Sequence, residues 1–260
     1  MLVMLEGKRI IVTGAARGMG AATLAAFVAA GAKVVGMDIK DDLGKRTVEE
    51  AARSGSGSAS YMHADVSDKA SVESAFGAAA EHMGGLDVLA HPAAIQASSD
   101  PGEVSVEHWD HMFAVNVRGT MLTNQIAYPF IKAAGGGSII NFGSISGQRP
   151  EPGAAAYSAA KGAVHSWTRT AAGAWGNEGI RVNAILPAMA TPMYHDAMSA
   201  LTEEETNAAY WMNHRSIALG QKYGDPMKDL GPVMVFFASE ASRFITGQLI
   251  PVDGGQTSTR

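Results

Sequence analysis

Tyr157 and Lys161 stand four residues apart in an Ala-rich stretch, a spacing that puts both on one face of a helix about one turn apart. A tyrosine hydroxyl has a reference pKa near ~10 and is a poor base at neutral pH, whereas a neighbouring ammonium favours the phenolate and lowers that value. Such a pair can move a proton to or from an oxygen atom. Ser144, just past an apolar strand-like run, could hold that oxygen by a hydrogen bond. Taken alone, a Tyr–Lys pair at this spacing is ordinary helix surface, so its meaning depends on what the chain sets beside it.

A second constellation lies near the start. The strand-like Arg9–Thr13 runs straight into Gly14-Ala15-Ala16-Arg17-Gly18-Met19-Gly20. Gly14 lets the chain turn tightly, Gly18 lets backbone approach a diphosphate, and Gly20 lets the following helix sit close to the sheet. The N–H groups of the helix start then face the phosphates. Any tight turn uses glycine, but this placement between a first strand and a first helix points to a dinucleotide. Asp38 ends the second strand-like run eighteen residues after Gly20, with Ile39 beside it. A carboxylate there accepts hydrogen bonds from both adenosine ribose hydroxyls and repels a 2'-phosphate, which selects NAD over NADP. Arg17 pulls the other way, and Asp38 could instead cap the next helix. Asp65 could bond the adenine amino group with Val66 packed on the ring, or serve with Ser67 and Asp68 as a helix cap.

The elements that position these groups alternate. Strands are expected over residues 9–13, 33–38, 60–63, 86–90, 138–142, 181–186 and 248–252, and helices over 20–30, 41–53, 69–83, 155–176 and 230–239. Ser105 reads as the cap of a further helix that runs with one bend to residue 132. The strands are nearly continuous apolar runs separated by helices of about ten residues or more, the pattern of a parallel sheet covered on both faces. Residues 188–223 show no strand pattern and read as a lid inserted over the carboxyl edge of the sheet, within a single domain spanning residues 1–260. Their Met189, Met193, Tyr194, Met198, Tyr210, Trp211 and Met212, with Gln96, Ser146 and Gln148, would line a broad apolar pocket. The same side chains would serve equally well to pack the segment or a subunit contact.

Composition narrows the classes. With 260 residues and 47% hydrophobic content, the chain can build one large α/β domain. Charged residues are 17%, low for a fully exposed surface, which suggests self-association. A net charge of -5 with no basic stretch gives no surface that would track nucleic-acid phosphates. The absence of cysteine excludes disulfides and thiol catalysis. Residues 1–8 are too short and polar for a signal peptide, and no run of eighteen apolar residues suggests a membrane span. A cytoplasmic location follows by elimination, and no metal site is expected.

Together the motifs resemble the short-chain dehydrogenase/reductase family, in its branch of about 250 residues. Thr13 to Gly20 fits TGxxxGxG, Tyr157 to Lys161 fits YxxxK, and Ser144 fits the family serine thirteen residues before the tyrosine. Asn116 fits the family's helix asparagine, Pro187, Thr191 and Pro192 resemble the segment that closes the nicotinamide pocket, and Val252 to Gly255 matches VDGG. The resemblance implies a Rossmann-type doubly wound sheet in three α/β/α layers. It also implies a tetrad of Asn116, Ser144, Tyr157 and Lys161, a small-molecule secondary alcohol or ketone as substrate, and a homotetramer built partly from the long helix. In it Tyr157 passes a proton to or from the substrate, Lys161 bonds the nicotinamide ribose, Asn116 holds a relay water, and the backbone of Ile185 and Thr191 clamps the nicotinamide amide, with Met193 adjoining. One departure stands out: the family's NNAG is here His91-Pro92-Ala93-Ala94. Pro92 removes a backbone donor, His91 would replace the first Asn by bonding backbone across the strands, and Ala93 and Ala94 would lie beside the cofactor. The competing readings are a reductase of 3-oxoacyl or enoyl thioesters and a nucleotide-binding scaffold without catalysis.

Overall fold

The computed structural model describes residues 4–257, so residues 1–3 of the segment assessed for a leader lie outside it. Seven strands form one sheet: β1 (Arg9–Thr13), β2 (Lys33–Asp38), β3 (Ser58–His63), β4 (Val88–His91), β5 (Gly137–Phe142), β6 (Ile180–Pro187) and β7 (Leu249–Val252). Their order is β3-β2-β1-β4-β5-β6-β7, and every pair is parallel. The chain therefore winds outward in both directions from β1 and β4, and the crevice at their carboxyl ends is where such sheets bind ligands.

The helices are α1 (Gly18–Ala29), α2 (Asp41–Ser54), α3 (Lys69–Met83), α4 (Val106–Phe113), α5 (Gly119–Ala133), α6 (Ala155–Trp175), α7 (Pro192–Ser199), α8 (Glu203–His214) and α9 (Gly231–Ala238). Neighbouring strand residues point to opposite faces, and both faces are dry. Ile10, Val12, Val34 and Ile140 pack under Leu24, Phe27, Val48 and Met234 of α1, α2 and α9. Ile11, Val35, Leu89 and Ile139 pack under Val72, Phe76, Ile131 and Ala171 of α3, α5 and α6. This double burial is why the strands read as continuous apolar runs rather than alternating ones.

Strand and helix ends fall within two residues of the sequence expectation, the usual scatter of element boundaries. The bend expected between residues 105 and 132 is a π turn, Ala114–Arg118, separating α4 from α5. Just beyond it, Thr120 Oγ1 donates to the Asn116 carbonyl at 2.7 Å and Thr123 Oγ1 to that of Gly119 at 2.8 Å. Residues 188–223 carry two helices. α7 begins with Thr191 as cap and Pro192 in its first turn, and α8 with a reciprocal capping box between Thr202 and Glu205. No helix among the described residues is long and apolar enough to cross a membrane.

Under the site, buried amides tie α5, β5 and α6 together. Asn124 and Asn141 exchange hydrogen bonds of 2.9 and 3.0 Å, Asn141 Nδ2 donates to Thr168 Oγ1 at 3.1 Å, and Trp167 Nε1 donates to Asn124 Oδ1 at 3.0 Å. Asn141→Ala strands part of this network and is expected to lower stability by about 1–3 kcal/mol. Urea unfolding measures it, and an unchanged midpoint with unchanged slope contradicts the role given to the network.

Candidate functional site

The three glycines after β1 perform different tasks. Gly14 has φ +60°, and a Cβ on it would lie 2.7 Å from Ala93 Cα. A Cβ on Gly20 would meet the Gly14 carbonyl oxygen at 2.0 Å, so Gly20 lets the helix close against its own loop. A Cβ on Gly18, at φ +59°, would make only ordinary contacts, with the Thr191 side chain at 3.8 Å and Pro192 at 4.0 Å. Arg17, exposed at the start of α1, makes no side-chain cap, and the first turn carries no acidic residue. The backbone N–H groups of Gly18, Met19 and Gly20 are thus placed as a helix N-terminus open to an anion.

Asp38 sits beside this turn. Its Oδ2 accepts from Ala16 N–H at 3.0 Å and its Oδ1 from Lys40 N–H at 3.0 Å, which fixes the carboxylate at the loop that would meet a ribose. Ile39 beside it is exposed. Of the two readings of Asp65, the cap belongs elsewhere: Asp68 caps α3 through Ala70 N–H at 3.0 Å. Asp65 Oδ1 accepts from Ser67 N–H at 2.9 Å and from its hydroxyl at 2.7 Å, and the Ser67 donors hold this carboxyl below its usual range. Val66 is buried against Gly119.

At the chemistry end, α6 carries Tyr157, Lys161 and His165 at four-residue intervals, hence along one face. Lys161 is buried, donates to the Phe142 carbonyl at 2.7 Å, and lies 5.6 Å from the centroid of the Tyr157 ring. Burial brings its pKa down to about 8. Burial also pushes the Tyr157 hydroxyl up, opposed by the neighbouring Ser144 hydroxyl. Without a bound cofactor, desolvation is therefore the larger effect on the phenol, and its net shift is upward. The ammonium engages a carbonyl and the ring face, and desolvation of the phenolate outweighs it. Ser144 opens a 3-10 turn, Ile145–Gly147, where its Oγ accepts from Ser146 N–H and donates to Ser146 Oγ, both at 3.2 Å. Its own N–H donates to His165 Nε2 at 3.3 Å.

Asn116, in the π turn, is buried with both side-chain groups engaged. Oδ1 accepts from Ile95 N–H at 2.9 Å, while Nδ2 donates to the Ile95 carbonyl at 2.8 Å and to Met112 Sδ at 3.0 Å. Its side chain therefore tethers the loop after β4 rather than facing the site, and its carbonyl accepts from Thr120 Oγ1. In the departing tetrapeptide, His91 does not bond backbone across the strands. It is buried, with Nδ1 2.8 Å from Thr13 Oγ1, a side chain on β1. Burial, with Lys161 nearby, takes its pKa down to about 3, so the ring is neutral at physiological pH. Thr13 Oγ1 also accepts from Ala93 N–H at 3.4 Å; Pro92 is half-buried and Ala94 exposed.

Several expected pocket residues lie elsewhere. Ile185 is a buried mid-strand residue whose carbonyl accepts from Gly143 N–H at 2.9 Å, which removes it as a nicotinamide clamp. Thr191 caps α7 through Tyr194 N–H at 3.4 Å, and Pro187 ends β6. Met189 is buried as part of the core cluster under α1, α2 and α9 rather than open to a pocket. Trp211 and Met193 are 46% and 48% exposed, too open to count as an enclosed wall. Gln96 and Gln148 are exposed as well, whereas Ser146 is buried beside Ser144.

The sequence reading missed a ring cluster in the same segment. His214 is buried among Tyr210, Tyr223 and Tyr194, with centroids 4.0, 4.4 and 5.6 Å away. The density of aromatic residues over 194–223 was its only signal. The tail pins this segment. Asp253 accepts from Gly255 and Thr257 N–H at 2.9 and 2.6 Å, and the Gly254 carbonyl accepts from Leu219 N–H at 2.9 Å.

Gly14→Ala and Gly18→Ala share a positive φ but differ in the space available. Gly14→Ala is expected to destabilise more, by an extra 1–3 kcal/mol on the order-of-magnitude scale of an overpacked core. Gly18→Ala is expected mainly to weaken dinucleotide binding. Thermal unfolding with nucleotide titration checks both, and equal losses of stability would contradict the assignment.

Comparison with known proteins is consistent across sequence and structure. A family model described as Enoyl-(Acyl carrier protein) reductase matches residues 14–257. A 2,5-dichloro-2,5-cyclohexadiene-1,4-diol dehydrogenase, LinX, of Sphingobium indicum is 37% identical over 252 residues, covering 96% of each chain. A trans-4-hydroxycyclohexanecarboxylate dehydrogenase of Sinomonas cyclohexanicum is 35% identical over 257 residues, covering 96% of this chain and 93% of that one. The solved structure of a short-chain type dehydrogenase/reductase from Mycobacterium ulcerans superposes with a TM-score of 0.90 at 29% identity, covering 97% and 90% of the two chains. With its seven parallel strands and its match from the glycine turn to the tail, the chain belongs to the short-chain dehydrogenase/reductase family of NAD(P)-dependent oxidoreductases.

Proposed function

We propose that this protein oxidises a secondary alcohol, or reduces the matching ketone, with NAD as cofactor and Tyr157 as the residue that carries the proton. The observation that carries the reading is the convergence of three side chains at the carboxyl end of β5. The Ser144 hydroxyl lies close enough to the Tyr157 phenol to lower its pKa, and the Lys161 ammonium lies 5.6 Å from the phenol ring while anchored on Phe142.

The cradle fits a dinucleotide: an uncapped helix start, a glycine at 18 that would clash with nothing if it bore a Cβ, and a fixed carboxylate at Asp38. Gly14, Gly18, Met19 and Gly20 would hold the diphosphate, with Arg17 at its edge. Asp38 and Ile39 would meet the adenosine ribose, and Asp65 and Val66 the adenine. Pro92, Ala93, Ala94, Pro187, Thr191 and Met193 would flank the nicotinamide half. Bound NAD supplies the acceptor or donor of hydride.

The chain's own residues do the rest. Ser144 orients the substrate oxygen. Tyr157 takes the hydroxyl proton in oxidation and returns it in reduction. Lys161, a fixed positive charge beneath the ring, favours the phenolate. Asn116 keeps the loop after β4 in place through Ile95. Asp38, whose carboxylate would repel a 2'-phosphate, is the basis for NAD over NADP.

An apolar cyclic alcohol is the favoured substrate. Residues 188–223 carry a tyrosine-rich cluster, and two relatives are named for ring alcohols. We read that segment as a lid that excludes water on closing. A homotetramer is supported by a 910 Å³ groove lined by Phe113, Val117, Met121 and Trp167 along α5 and the long helix, and we place the enzyme in the cytoplasm. A second reading, reduction of an enoyl or 3-oxoacyl thioester, draws on the description of the matching family model. The net charge of -5 opposes docking of an acidic acyl carrier.

A panel of alcohols and ketones followed by nicotinamide absorbance tests the reading. Tyr157→Phe is expected to lower kcat by at least ~10²-fold while NADH still binds; retained activity would overturn the mechanism. Asp38→Ala is expected to narrow the ratio of kcat/KM for NAD over NADP, and an unchanged ratio removes that assignment.

Lys161→Met separates function from stability. A lysine whose folded pKa lies near 8 binds fewer protons folded than unfolded between that value and its ordinary 10.5. Its buried charge therefore weakens the fold below that window, and the penalty is relieved as pH rises through it. The variant is expected to be inactive yet more stable at pH 7, by on the order of 1–3 kcal/mol. A variant that unfolds more easily at pH 7 contradicts this.

A further inference from the structure

His165 continues the series begun by Tyr157 and Lys161, one helical turn further along α6. It is 3% exposed, yet it has no part in the chemistry described above. The loop from Phe142 to Gly147 wraps round its ring. A Cβ on Gly143 would lie 2.5 Å from His165 Nε2, and one on Gly147 would lie 2.8 Å from Cε1. Both glycines are the residues that let this loop close on an imidazole.

Two consecutive members of one helix face thus hold two points of one loop. Lys161 Nζ donates to the Phe142 carbonyl at 2.7 Å, and His165 Nε2 accepts from the Ser144 N–H at 3.3 Å. A backbone N–H only donates, so Nε2 must be unprotonated and the proton must reside on Nδ1. Gly147 is the polar backbone neighbour that favours a protonated ring, while burial and the cations Lys161 and Arg169 oppose a second proton. Burial, the largest of these, takes the ring's pKa down to about 4, so the acceptor persists at neutral pH.

We propose that His165 is a positioning residue for Ser144. Its neutral imidazole, held as the Nδ1–H tautomer, accepts the Ser144 N–H and fixes the turn that carries the serine hydroxyl beside Tyr157. This inference rests on the dehydrogenase reading only for its kinetic consequence; the tautomer and the hydrogen bond stand apart from it. The alternative is a ring that merely fills space between α6 and the loop.

The test uses the full-length enzyme with the best alcohol of the panel and saturating NAD. His165→Leu, which keeps bulk and loses the acceptor, is expected to lower kcat by about tenfold or more through a displaced serine. NADH affinity should be unchanged. His165→Gln, whose Oε1 can take the place of Nε2, is expected to recover kcat to within roughly threefold of native. In a cycle with Ser144→Ala, adding His165→Leu should change kcat by less than about twofold, because the residue acts through the serine. Native kcat in His165→Leu, no rescue by Gln, or losses that multiply in the cycle would overturn the proposal.

A second measurement is independent of activity and of whether the variants fold. In histidine ¹⁵N-labelled native protein at pH 7, His165 should show a protonated Nδ1 and a bare Nε2; the opposite tautomer overturns the proposal. If native enzyme turns over none of the alcohols or ketones, the dehydrogenase reading fails, while the nitrogen spectrum still decides the role of His165.

Discussion

A buried ammonium ion constrains the centre of this molecule. Lys161 is buried and, among the described residues, its one hydrogen bond goes to the carbonyl of Phe142 at the end of β5. Burying a cation costs several kcal/mol unless its donors are matched, and burial lowers this group's pKa to about 8, which still leaves it charged at neutral pH. Such a site persists only where the surrounding elements over-determine it. The parallel sheet ends β5 at the right level, the long helix presents the lysine one turn after Tyr157, and the amides of Asn124 and Asn141 lock helix α5 to that strand.

The rest of the site can be understood as the means of keeping that arrangement dry and aligned. The π turn in the α4–α5 helix delivers Asn116, whose amide holds both backbone groups of Ile95. His91, neutral and buried, ties β4 to Thr13 of β1 in place of an amide side chain. A substitution that looks disruptive in the motif is thereby absorbed by one side-chain hydrogen bond. It leaves His91 Nε2 buried and unpartnered, and Pro92 beside it lacks an N–H.

Much of this was legible in the residues. Unbroken apolar strands between helices predict a doubly covered parallel sheet, and the structure has one. Glycines at 14, 18 and 20 predict a close turn, and the steric consequences of a Cβ at 14 and 20 bear that out. What spacing does not encode is depth and choice of partner. The four-residue interval places Tyr157 and Lys161 on one face. It does not say that the ammonium turns to a carbonyl, or that desolvation outweighs charge at the phenol. Met189 and Ile185 were read as pocket and clamp because the local pattern cannot distinguish the core side of the carboxyl edge from the open side. The two helices of 188–223 escaped a search for apolar periodicity because they are held by caps, at Thr191 and at Thr202 with Glu205, rather than by an apolar stripe.

The central claim is that the buried charge of Lys161 makes Tyr157 a usable proton carrier once the site is complete. Ultraviolet difference titration of tyrosinate, in saturating NAD, tests it directly when native protein is compared with the Lys161→Met variant. The account predicts one tyrosine that ionises well below its ordinary value in the native complex and is missing from the titration of the variant. Native and variant curves that coincide, with every tyrosine ionising at or above the ordinary value, would contradict it.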